Sequence, residues 1–374
     1  MVIKDVIKDV EAFFVKVPTK VKYKMSKGGS RRSYMAAIIR ITTDTGLTGY
    51  GEVFGTPGWY SAESPDGLLR MINRWFRPIL VKERICDIER IIYKLDEERM
   101  GNNFAKSGVD MALYDLMGKS LGVPVCDLIG GRFHNEFEMV GGMGIFEPEK
   151  MAEKAVEFVN QGHKTLKIKI GEGSLDKDVE RVRVVREAVG DSIKIRVDAN
   201  AWYSRADAMR VIRRIEKYNL DNIEQPLPDW DYEGMAALTA KIDTPIMADE
   251  SVHNLWDAYR IVKNKVADII KIKFAKIGGF YKAQQVINLC EAAGVPVVVG
   301  NGINTSIMGA AELNLACSHK QIVQGGEFVG PAKMKEDLVK EPMIMVDGKY
   351  ILSDKPGLGI EVDEEKIKKS LFPM

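Results

Sequence analysis

The chain is poor in the residues that staple small folds or hold soft metals. Its 374 residues include four cysteines, Cys86, Cys126, Cys290 and Cys317, and no two form a CxxC pair. They read as scattered reduced thiols rather than a disulfide framework or a zinc site. The four histidines, His134, His163, His253 and His319, show no HxxxH spacing. Any metal is therefore expected on oxygen ligands. No apolar run approaches the roughly 18 residues of a membrane-crossing helix. Met1-Val2-Ile3-Lys4-Asp5 carries charge where a signal peptide needs an apolar core. These absences predict a cytoplasmic protein with no membrane partner. A formal net charge of +1 argues against nucleic acid as a main partner. Low-complexity tracts and flexible linkers are also missing.

What is present is ordinary for a soluble enzyme: 45% hydrophobic and 29% charged residues, enough for a large core. The most informative stretch is His163-Lys164-Thr165-Leu166-Lys167-Ile168-Lys169-Ile170-Gly171. It reads as a strand, and side chains two apart share a face, so Lys167 and Lys169 point the same way. Further apolar runs end on Asp198, Glu224, Asp249 and Lys273, then on Asn301 and Glu327. From Lys169 onward these ends lie 29, 26, 25, 24, 28 and 26 residues apart. That step suits one strand, one helix and two loops, the unit of a (β/α)₈ barrel of roughly 30 residues per repeat, whose strand ends converge on one site.

Residues 1 to about 130 lack this rhythm. Strands at 10–17, 36–42 and 47–53, with a turn at Asp44-Thr45-Gly46, precede helical patterns at 65–79, 86–100 and 107–121. Strands followed by helices indicate an α+β module. Two loops stand out in it: 18–33, rich in basic residues such as Lys24, Arg31 and Arg32, and 54–63, with Trp59 and Tyr60. The junction is expected at 123–137, around Gly130-Gly131. Seven amphipathic helices separate the later strand ends, and a hairpin around Asp347-Gly348 is expected to return to the first module.

Three carboxylates converging at Asp198, Glu224 and Asp249 would repel one another without a cation. Oxygen-only ligation fits Mg²⁺, with Mn²⁺ as a substitute. Asp249 and Glu250 are adjacent, so only one is expected to face the axis, and the string alone leaves the choice open. Lys167 and Lys169 precede the acids, and Lys273 follows them, with Lys271 and Lys276 as competing assignments. A lysine beside another lysine and a metal is disfavoured in its charged form, as a base near neutral pH requires. The chemistry expected is proton transfer at the carbon α to a carboxylate, with the metal stabilising the enolate.

These residues resemble the enolase superfamily, and within it the muconate-lactonizing subgroup. The likeness covers essentially the whole chain. It rests on Lys167-Ile168-Lys169, Asp198-Ala199-Asn200, Ile223-Glu224-Gln225-Pro226, Met247-Ala248-Asp249-Glu250-Ser251 and Lys273-Phe274-Ala275-Lys276-Ile277-Gly278-Gly279. The resemblance implies a modified TIM barrel, (β/α)₇β, with an N-terminal α+β capping domain completed by the C-terminal segment. It implies a division into 1–130, with lids at about 18–33 and 54–63, then 131–330 and 331–374. It makes Asp249 the third metal ligand and Lys273 the second catalytic lysine. Lys169 is then the proton carrier, with Lys167 tuning it, and Asn200, Asn301, Glu327, Tyr60 and Lys24 contact substrate. Gly326-Glu327-Phe328-Val329-Gly330-Pro331 resembles the last strand of muconate cycloisomerases, and Val329 removes an aspartate typical of dipeptide epimerases. The implied reaction on a small carboxylate is cycloisomerisation of a muconate-like dicarboxylate. Alternatives are racemisation or epimerisation of an amino acid or N-acyl amino acid, syn-dehydration of a hydroxy acid, and a barrel kept only for binding. Relatives of this type often form homo-oligomers.

Overall fold

The computed structural model describes residues 3–24, 30–54 and 63–373. The side chain of Lys24 and all of Tyr60 lie outside the described residues. The first unit is an antiparallel sheet of β1 (Ile7–Lys24), β2 (Ser30–Thr43) and β3 (Thr48–Phe54) in that order. The strand expected over 10–17 is longer because β1 continues past a register shift between Pro18 and Tyr23 and takes in part of the basic loop.

Helices α1 (Pro65–Arg70) and α2 (Arg77–Leu80) flank a π-helical stretch, Met71–Phe76. The single helix expected over 65–79 is thus interrupted by a π turn. Then come α3 (Ile88–Glu98), α4 (Asn103–Leu121) and α5 (Val125–Leu128). α3 is amphipathic, with Ile88, Ile91, Ile92 and Leu95 buried at helical spacing. α4 is buried on nearly every side because it packs on both the sheet and the barrel.

β4 (Glu136–Glu138) leads into a parallel sheet of seven strands in sequence order. These are β5 (Gly141–Met143), β6 (Thr165–Lys169), β7 (Lys194–Asp198), β8 (Asn222–Glu224), β9 (Ile246–Ala248), β10 (Ile269–Ile272) and β11 (Val297–Val299). The crossovers are α6 (Pro148–Asn160), α7 (Leu175–Val189), α8 (Arg205–Ile215), α9 (Tyr232–Thr239) and α10 (Leu255–Lys263). After β10 come the short α11 (Phe274–Ile277) and α12 (Phe280–Ala293), and α13 (Ser306–Ser318) follows β11. Ser174, Ser204, Asp231, Asn254 and Thr305 cap α7, α8, α9, α10 and α13 with side-chain acceptors, which explains where those helices begin.

The sheet closes through the backbone at 326–327. Gly326 bridges Met139 and Glu327 bridges Gly300, both in parallel sense. The fold is therefore a (β/α)₇β barrel with an N-terminal capping unit. Its strands are buried on both faces, as in Val297–Val299 and Ile246–Ala248.

α14 (Gly330–Lys333) follows closure, and the chain then forms β12 (Lys349–Ile351) and α15 (Glu364–Ser370). The turn around Asp347-Gly348 forms as expected, but β12 pairs with β4 rather than with the capping sheet. Contact with the capping sheet is made further on, where Leu371 bridges Val15. Capping unit and barrel also lock through Asp110 on α4. Its carboxylate accepts from Phe280 N at 2.5 Å and Tyr281 N at 3.2 Å, capping α12. Gly279 has φ +99°, and a Cβ there would strike that carboxylate, so only glycine fits.

Candidate active site

Parallel pairing fixes which strand ends meet. Lys169 lies opposite Asp198, and Asp198 opposite Glu224. Asp249 follows directly after β9, which pairs β8. Lys271 lies on β10 and Lys273 just beyond it. Asp198, Glu224 and Asp249 are all fully buried, at 0% exposure. The acids thus form a row, with one lysine strand on each side. They border a cavity of about 250 Å³ at the C-terminal mouth of the barrel.

The ammonium groups lie directly on the acids. Lys169 Nζ donates to Asp198 Oδ2 at 2.6 Å and to Asn200 Oδ1. Lys167 Nζ stands 2.8 Å from Asp198 Oδ2, 2.7 Å from Glu224 Oε2 and 2.5 Å from Glu327 Oε2. Lys271 Nζ contacts Glu224 Oε1 at 2.9 Å and Glu327 Oε2 at 2.5 Å. Lys273 Nζ lies 2.5 Å from Asp249 Oδ2. Lys276 donates to the Asp249 carbonyl at 2.7 Å.

Burial works against the charges of Lys167, Asp198, Asp249, Glu224 and Glu327, and the partners decide the outcome. For Lys167, the carboxylates of Asp198, Glu224 and Glu327 outweigh desolvation and hold the ammonium well above its usual range. For Asp198, burial is overcome by Lys167, Lys169 and Lys271, which keep the carboxyl low. Asp249 is likewise held low against burial by Lys273, Lys276 and Lys271. Glu327 resists burial through Lys167, Lys271 and Arg196 and sits at about 2. Glu224 goes the other way: burial and the neighbouring Asp198 push it well up despite two lysines.

That uncompensated pressure on Glu224 is what a bound cation would relieve. The donors available are carboxylate oxygens, a hard set suited to Mg²⁺ or Mn²⁺. Among the described residues, no three such side chains are already turned onto one point, because their oxygens face the lysines instead. The residues fit the ion in chemistry and placement, and their side chains must exchange lysine for metal.

The site also departs from expectation. Asp249 and Glu250 both border the cavity. β9 stops at Ala248, so strand alternation no longer separates them. Glu250 Oε1 accepts from Asn200 Nδ2 at 3.0 Å, and burial together with Asp249 pushes its carboxyl up. Asn301 and Glu327 border the cavity too, but Glu327 Oε2 is occupied by Lys167 and Lys271. Lys271, a competing assignment to Lys273 in the sequence, reaches two carboxylates of the site.

Arg196 and Lys333 were missed. Arg196 is two residues before Asp198 on the same strand face, and its guanidinium lies 3.7 Å from Glu327 Oε1. That period-two spacing was available in the sequence. Lys333 borders the cavity from α14, where no periodicity points to it.

Comparison with known proteins agrees with this geometry. Residues 9–130 match the family model described as mandelate racemase / muconate lactonizing enzyme, N-terminal domain. Residues 150–366 match the model described as enolase C-terminal domain-like. An N-succinyl-L-Arg/Lys racemase from Bacillus cereus is 33% identical over 362 residues, covering 96% of both chains. A muconate lactonizing enzyme from Pseudomonas fluorescens, solved with muconolactone, superposes with a TM-score of 0.94 at 31% identity, covering 98% of this chain and 100% of that one. A dipeptide epimerase from Enterococcus faecalis, solved with Mg and L-Leu-L-Tyr, gives a TM-score of 0.90 at 34% identity, covering 95% and 99%.

Proposed function

Because the chain belongs to the mandelate racemase / muconate lactonizing enzyme family, we propose that it is a Mg²⁺-dependent isomerase moving a proton at the carbon α to a substrate carboxylate. The observation that carries this reading is the acid row flanked by Lys169 on one side and Lys273 on the other. Asp198, Glu224 and Asp249 would hold the cation, with Mn²⁺ able to substitute. When bound, the ion supplies positive charge that offsets the second negative charge formed on the carboxylate as the proton leaves.

Lys169 carries the proton, since it stands at the open end of β6 and is aimed by Asp198 and Asn200. Lys273 faces the substrate from the opposite side of the row and stabilises the developing charge, or delivers a proton there. Lys167, held charged among three carboxylates, keeps a fixed cation beside Lys169. Glu327 neutralises Lys167 and Lys271 beneath the substrate. Asn200 and Asn301 offer amides at the cavity wall. In this reading residues 1–130 cap the site, 131–330 build it and 331–374 tie the two together, supported by the β12–β4 pairing and the Leu371–Val15 bridge.

The favoured reaction is ring closure of a muconate-like dicarboxylate. Racemisation of an N-acyl amino acid is the second reading, favoured by lysines on both faces and by the likeness to the N-succinyl-L-Arg/Lys racemase. Proton NMR in D₂O with Mg²⁺ separates them. Cis,cis-muconate should yield a deuterated lactone under the first, and N-succinyl amino acids should exchange their α-proton under the second. Water loss from a hydroxy acid would move the assignment to a syn-dehydratase. If no acid of these classes exchanges, cyclises or dehydrates with either metal, the proposal fails.

A further inference from the structure

Lys333 closes α14 four residues beyond Val329, and both side chains border the active-site cavity. Its side chain is partly buried. Among the described residues it forms no hydrogen bond or ion pair, whereas every other lysine bordering the cavity has a partner. The carboxylates there are already engaged by those other lysines or, for Glu250, by Asn200. Lys333 is therefore a cation at the active-site wall with no carboxylate of the described residues within ion-pair distance.

We infer that Lys333 binds the second anionic group of a dianionic substrate whose first carboxylate sits at the acid row. This rests on the reading that the acid row receives a carboxylate through a cation. Charge balance supports it. Five lysines and five carboxylates border the cavity, and a divalent cation that holds those acids ionised leaves a positive surplus that suits a dianion. Burial, with Lys169 and Lys167 nearby, pushes the Lys333 ammonium down to about 8, so it remains charged at neutral pH and an arriving carboxylate would relieve it. The apolar neighbours Val329 and Ile303 offer nothing to a substrate ammonium. The arrangement thus selects a dicarboxylate, or an N-acyl amino acid whose acyl group ends in a carboxylate, against a dipeptide with a free amino terminus.

The test is calorimetric binding to the Mg²⁺-loaded enzyme. The probes are dicarboxylic acids of four to six carbons and the monocarboxylic acids of matching length. Wild type should bind the best dicarboxylate at least tenfold more tightly than its monocarboxylate. Lys333→Met should lose about 10- to 100-fold on the dicarboxylate, the range of a charge-assisted hydrogen bond, and leave the monocarboxylate within about twofold. Lys333→Arg should restore most of the preference. Turnover by Lys333→Met should show the loss in KM rather than kcat. No dianion preference in the wild type, or an unchanged preference in Lys333→Met, overturns the inference. Failure of the parent reading looks different: no α-exchange, ring closure or water loss in D₂O by the wild type, whatever the binding preference.

Discussion

At the scale of single residues, the site is an exchange of partners. Each acid of the row is matched by an ammonium, and each lysine that would act on substrate is tied to an acid: Lys169 to Asp198, and Lys273 to Asp249. A cation on the row would release both lysines toward the cavity. Because they stand on opposite sides of the row, their substitutions should not be equivalent. Lys169→Ala should slow α-proton exchange by about 10²- to 10⁴-fold, the range for a lost general base. Lys273→Ala should abolish exchange on the other face in a racemase, but in a cycloisomerase should lower the rate without changing which face gains deuterium. Deuterium incorporation followed separately for each enantiomer or lactone face checks this. Full exchange in Lys169→Ala would remove the assigned proton carrier.

At the scale of elements, the fold positions the site through helix caps that cross between the units. Glu52 on β3 is fully buried and accepts from Thr305 N at 2.9 Å, Thr305 Oγ1 at 2.6 Å and Met308 N at 2.9 Å. The capping unit thereby holds the first turn of α13 and the loop from Asn301 before it, which borders the cavity. The same loop is held from within α13 by Glu312, which accepts from Asn304 Nδ2 at 2.7 Å. Burial pushes the Glu312 carboxyl up to about 8, against the amides of Asn304 and Asn301. A folded acid raised in this way keeps a proton that the unfolded chain releases from about pH 4.5. The native state then binds more protons, so stability falls as pH rises between about 4.5 and 8 and levels off above. Glu312→Gln cannot titrate. Its melting temperature relative to wild type should climb from pH 5 to pH 8, with a gain on the order of a few kcal/mol. An equal offset at both pH values would show that Glu312 does not hold that proton.

The barrel rhythm was legible in the sequence because each buried strand is a short apolar run, and each run stops on a charge that cannot go deeper. The acids and Lys167, Lys169 and Lys273 followed from that counting and from the family resemblance. Other parts were hidden for physical reasons. Glu250 follows the strand end, where alternation lapses. Lys333 sits in a four-residue helix with no period to read. The length of β1 was hidden because its outer part alternates lysine with other residues and looks like a basic loop until β2 pairs with it.

At the scale of the whole molecule, the acid row exists only when the chain is folded. Asp198, Glu224 and Asp249 come from successive βα units, 26 and 25 residues apart along the chain. Unfolded, they offer isolated carboxylates with weak affinity for a hard cation. Folded, they stand side by side, and Glu224 is already strained by its neighbours. A ligand that binds only the native state stabilises it by mass action, about 2.7 kcal/mol at a hundredfold excess over Kd. The lysines compete for the same oxygens, so part of the metal's gain replaces existing ion pairs. MgCl₂ should therefore raise the wild-type melting temperature in a saturable way, and NaCl of equal ionic strength should not. Asp198→Asn should lose the Mg²⁺-dependent rise while remaining folded without metal, since Lys167 retains Glu224 and Glu327 as partners. Scanning calorimetry across a MgCl₂ series measures both. An identical rise in Asp198→Asn, or one reproduced by NaCl, would mean that the cation acts on the surface of the protein and not on the row at the barrel mouth.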